Sequence, residues 1–110
     1  MTIKKRKLYF SIRFSELFIS YWRFCQTPGD LVSINHRIAA YLASYFDIIF
    51  ALNRIYHPGE KRLVEIVKRR CSIIPNDFER NINLLLKGEE IEKTLDNIYS
   101  NLKYLVDKNM

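Results

Sequence analysis

Glycine and proline are scarce, with three of each in 110 residues. So few breakers exclude a domain of many tightly turned strands and favour long helices. Cysteine is scarcer still. Cys25 and Cys71 stand far apart and outside any C-x-x-C pair, which excludes a disulfide framework and reads as reduced thiols in a cytoplasmic protein. His36 and His57 are the only histidines, and nothing near them completes a set of zinc ligands, so no metal and no cofactor is implied. Long hydrophobic runs are missing too. KKRKLYFSIRFSELFISYW opens like a signal peptide, but Arg13 and Glu16 interrupt its apolar part and no small-residue cleavage site follows. IAAYLASYFDIIFAL, residues 38–52, contains Asp47 and is too short for a span. No membrane partner is expected.

What is present is a globular composition, 48% hydrophobic and 27% charged, with seven Tyr and seven Phe. That is enough for one hydrophobic core. The formal charge is +6, and Lys4-Lys5-Arg6-Lys7 supplies four of those charges. Residues 1–7 are accordingly expected to form a basic tail and residues 8–110 a single domain. Lys61-Arg62 and Lys68-Arg69-Arg70 are smaller basic groups. Such charge can hold phosphates by counterion release. Solvation of a tail and of helix surfaces is the preferred account, because no ordered nucleic-acid motif accompanies it.

Apolar spacing predicts five helices. Phe10, Phe14, Leu17, Tyr21 and Phe24 share one face of a first helix over 8–25, with Arg13, Glu16, Ser20 and Arg23 on another. Thr27-Pro28-Gly29-Asp30 breaks it, and Asp30 or Ser33 is available to cap a second helix over 31–56. That helix is apolar around most of its circumference, as a core helix is. A third, over 60–71, turns Leu63, Ile66 and Val67 inward and starts with Glu60, favourable at the positive end of its dipole. Pro75-Asn76-Asp77 starts a fourth, with Phe78, Ile82 and Leu85 inside and Gly88 at its stop. A fifth, over 89–107, carries Ile91, Leu95, Ile98, Leu102 and Leu105 at alternating spacings of four and three. The expected fold is all-α, an antiparallel up-and-down bundle of about five helices.

Two constellations could carry chemistry. His36, Arg37, Ala40, Ser44, Asp47, Ala51 and Arg54 fall within an arc of roughly 100° on the second helix. They form either a polar cleft wall or a seam where small residues admit a neighbouring helix and Asp47 is paired. The second constellation is the corner FALNRIYHPGEKRL, residues 50–63. Pro58 moves His57 away from helical dihedrals and Gly59 lets the chain turn. Asn53 and Arg54 are expected in the last turn of one helix and Lys61 and Arg62 in the first turn of the next. Arg54, His57 and Lys61 then gather for a phosphate or an acidic surface. Alternatively, Arg54 and His57 only satisfy terminal carbonyls.

LASYFDIIFALNRIYHPGEKRLVEIVKRRCSIIPNDFERNINLLLKG, with Tyr21-Trp22-Arg23 and Gly29-Asp30 before it, resembles the helical region that follows the catalytic domain of polymerase-beta-type nucleotidyltransferases. That region is similar to HEPN-type bundles, some of which pair with a separate minimal nucleotidyltransferase. The resemblance spans roughly residues 17–106 and implies a substrate- or partner-binding role, carried by the corner motif Asn53, Arg54, His57, Pro58, Gly59, Glu60 and Lys61. The Gly-Ser turn and Asp-x-Asp pair that nucleotidyltransferase chemistry needs are missing from the sequence. No catalytic residue is therefore assigned. The expectation is a non-catalytic domain partnered by a nucleotidyltransferase, with Asp47, Asn53, Arg54, His57 and Lys61 as its binding residues. The resemblance also leaves room for a homodimer and for a HEPN-like ribonuclease. In HEPN ribonucleases, however, four to six residues separate the Arg from the His, whereas only Ile55 and Tyr56 separate Arg54 from His57. A basic nucleic-acid-binding bundle is a further alternative.

Overall fold

The computed structural model describes residues 2–26, 29–59 and 61–109. Among them the chain is all-α, with five helices and no strand, the fold class expected. These are α1 (Ile3–Cys25), α2 (Leu31–Leu52), α3 (Leu63–Arg70), α4 (Phe78–Lys87) and α5 (Ile91–Asn109). Thr27 and Pro28, expected to break the chain, and Glu60, expected to open the third helix, lie outside the described residues. The chain divides into two compact units, Met1–Ile48 and Ile49–Met110.

In the first unit, α1 starts five residues before the expected Leu8, so Lys4 to Lys7 belong to a helix and not to a separate tail. The cause is local. Thr2 is extended and its Oγ1 accepts the Lys5 N–H at 3.1 Å, while its carbonyl takes the Arg6 N–H. That is an N-cap, with the helix running on from it. Phe10 and Leu17 of the expected inner face are buried, and Phe14, Tyr21 and Phe24 half-buried. A further face of α1 is apolar and exposed, carrying Leu8, Ile12, Phe18, Ile19 and Trp22, the last 57% accessible. Asp30 caps α2 as expected, its Oδ2 accepting the Ser33 N–H at 3.1 Å.

The second unit begins with the end of α2, where Ile49, Phe50 and Leu52 are almost completely buried. Its remaining core is Val67 of α3, Phe78, Ile82 and Leu85 of α4, and Leu95, Ile98 and Leu102 of α5, all at predicted positions, with Cys71 and Val106 added, while the predicted Leu63, Ile66, Ile91 and Leu105 are half-buried. Fully burying one such side chain contributes about 1.5–3 kcal/mol, so these positions set the unit's stability. Helices α4 and α5 pack together antiparallel across a three-residue link, and Asn101 Nδ2 reaches the Asn76 carbonyl at the start of α4. Gly88 ends α4 as expected. With φ of 74° it donates its N–H to the Leu85 carbonyl, and Glu89 donates to Leu84. This paired arrangement satisfies two orphan carbonyls at a helix end.

Candidate functional site at the α2–α3 corner

Helix α2 stops at Leu52 and α3 starts only at Leu63, so neither Asn53 and Arg54 nor Lys61 and Arg62 lie inside helices as expected. The reason is a second C-terminal motif of the Gly88 type. Arg54 has φ of 57°, its N–H donates to the Ala51 carbonyl, and the Ile55 N–H donates to Phe50. Glycine is the usual occupant of this left-handed position, and an arginine in it gives no local signal that the helix is over. Arg62, also at φ 57°, precedes α3 without a side-chain cap.

Asn53 locks the corner. Its amide donates to the Ile49 carbonyl at 2.9 Å and the Ile73 carbonyl at 2.8 Å, and its Oδ1 accepts the Ile73 N–H at 2.9 Å. Both amide hydrogens are thereby used, and the end of α2 is tied to the loop that follows α3. Expected as a binding residue, Asn53 is a half-buried part of the frame. Sequence spacing could not reveal a partner twenty positions away.

His57 is exposed, yet its Nδ1 accepts the Gly59 N–H at 3.1 Å and its ring meets Phe50 edge-on, with centroids 5.2 Å apart. The imidazole therefore shapes the turn at Pro58. Arg54, Lys61 and Arg62 are exposed, and none of the three side chains is hydrogen-bonded or ion-paired to another described residue. They are the corner's available cations. Asp47 is half-buried and engaged by neighbouring groups, and Ser44 of the same stripe is buried. The stripe is not open to solvent along its length.

The basic face of α3 is partly neutralised. Lys68 Nζ lies 2.8 Å from Glu79, whose hydrogen bond raises the ammonium's pKa, and Arg69 lies 3.9 Å from Glu65. Cys71 is buried, and desolvation raises its thiol pKa, whereas Cys25 is exposed. Among the described residues no cluster of His, Cys, Asp or Glu is arranged to hold a metal ion, and no helix is long and apolar enough to cross a membrane. A cleft lies between α4 and α5, lined by none of the expected site residues.

No family model, no curated protein and no solved structure matches the chain.

Proposed function

We propose that the chain is a non-catalytic helical binding domain that works beside a nucleotidyltransferase, with Arg54 and Lys61 contacting an acidic or polar group of its substrate or partner. The observation that supports this reading is a corner where Asn53 ties the end of α2 to Ile73 while Arg54 and Lys61, with Arg62 next to Lys61, stand exposed and uncommitted to other described residues. A rigid scaffold holding charged groups in place loses little freedom on binding, and alignment of a substrate is itself a large part of catalysis at a partner's active site. The exposed apolar face of α1 independently offers surface of the kind partner proteins cover.

Affinity capture from the native cell tests the proposal. The wild-type chain is expected to retain a nucleotidyltransferase, and Arg54→Gly with Lys61→Ala to release it while remaining folded. Glycine suits the dihedrals of residue 54 better than arginine does, so loss of capture reports the side chain. Capture of no nucleotidyltransferase by the wild-type chain would sink the proposal.

A further inference from the structure

The cleft between α4 and α5 has a volume of about 260 Å³ and is lined almost wholly by polar groups. Asp77, Arg80 and Asn81 of one side are spaced one helical turn apart, as are Glu90, Lys93 and Thr94 of the other. The two stripes face one another beside the apolar seam that holds the helices together. Two of these residues are out of place in such a pair. Asn81 is 5% exposed and Thr94 1%, and among the described residues neither the amide nor the hydroxyl has a hydrogen-bond partner. Their polar atoms are not sealed from solvent, so what satisfies them is the content of the cleft they line, water or a ligand in its place. Polar groups that are nearly buried and whose remaining surface opens on a cavity are available to a ligand there.

We infer that this cleft binds a small zwitterion, a free amino acid or a dipeptide. The charges choose the class. Arg80 and Lys93 are balanced by Asp77 and Glu90, so a polyanion gains little net attraction, while a molecule carrying both signs finds both counterparts. Antiparallel packing, with Asn101 beside Asn76, puts Asp77 toward one end of the cleft and Glu90 toward the other, the two cations between them. An ammonium at an end and a carboxylate at the middle match that order. Donor and acceptor groups of Asn81 and Thr94 then meet the ligand's remaining polar atoms. No aromatic ring lines the cleft, which disfavours a nucleobase that would need stacking. The volume falls below the usual range for drug-sized ligands, so the occupant is small. None of this depends on the role of the α2–α3 corner.

The test is an amide-resolved NMR titration of the full chain with the common L-amino acids and glycylglycine, beside inorganic phosphate and uridine. At least one zwitterion is expected to give saturable shifts confined to residues 77–84 and 90–101, with phosphate and uridine giving none there. Lys93→Ala, on the surface and harmless to folding, is expected to weaken that binding about tenfold, as loss of a charge-assisted hydrogen bond does. Asn81→Leu and the isosteric Thr94→Val are expected to hold or raise the melting temperature without ligand and to abolish the shifts. The inference is overturned if no zwitterion in the set shifts these amides, or if phosphate or uridine does so more strongly. It is also overturned if Thr94→Val and Asn81→Leu both lower the melting temperature, because their polar atoms would then already be serving the fold.

Discussion

Arg54 occupies dihedrals that cost an ordinary L-residue about 1–2 kcal/mol, and only its place at the end of α2 requires them. Glycine avoids that cost but loses more backbone freedom on folding, about 0.5–1 kcal/mol. The two nearly cancel, so Arg54→Gly is expected to leave stability unchanged or raise it by up to about 1 kcal/mol. The neighbouring Asn53 behaves in the opposite way. Asn53→Ala removes three hydrogen bonds from a half-buried site and strands the N–H and carbonyl of Ile73. The expected loss is about 2–4 kcal/mol. Asn53→Asp should cost at least as much, because a carboxylate donates nothing and would face two carbonyl oxygens. Urea unfolding of the three variants checks this. An Asn53→Ala protein as stable as wild type would show that the corner is held by something other than the clamp.

At the scale of the helix, α2 is started by one titratable group. The hydroxyl and N–H of Ser33 hold the Asp30 carboxyl below the ordinary carboxylate value of 3.8. A folded-state pKa below the unfolded one means that the ionised cap stabilises the protein above that ordinary value, and that its contribution disappears as pH falls through the lower folded value. Asp30→Asn keeps a capping oxygen that does not titrate. The variant is expected to match wild type near neutral pH and to lose less thermal stability over roughly pH 5 to 2. Parallel melting curves for the two across that range would argue against the cap. The helices themselves were legible because burial leaves a periodic trace. Spacing alone places Phe78, Ile82, Leu85, Leu95, Ile98 and Leu102 inside, and all are buried. Gly88 was legible as a stop because its chemistry announces a left-handed residue. Arg54 uses the same geometry without that chemistry, so apolar spacing carries α2 four residues beyond its observed end at Leu52. The Asn53 clamp and the α4–α5 cleft depend on positions brought together by folding, and no local pattern encodes them.

Charge is unevenly spread over the whole molecule. Helix α1 holds six basic side chains and one acidic one, so five of the chain's six net positive charges lie on it. On α3, Lys68 pairs with Glu79 and Arg69 lies near Glu65. Exposed ion pairs of this sort are worth little to stability, but each lowers the field a phosphate would feel. Whatever affinity the molecule has for a polyanion should therefore reside in the first turns of α1, where Lys4, Lys5 and Lys7 are exposed. Substituting Lys4, Lys5, Arg6 and Lys7 by Gln is expected to weaken binding to single-stranded DNA. It should also flatten the dependence of log affinity on log salt by about 0.7 for each charge that had held a phosphate. Substituting Lys68, Arg69 and Arg70 should change that slope less, and Arg54→Gly by at most one such step. These readouts separate two activities that share a sign of charge. If the α1 substitutions remove DNA binding and leave capture of a nucleotidyltransferase intact, the basic helix acts through long-range attraction and the corner through specific contact. Loss of both together would assign recognition to α1 and leave the corner a structural turn.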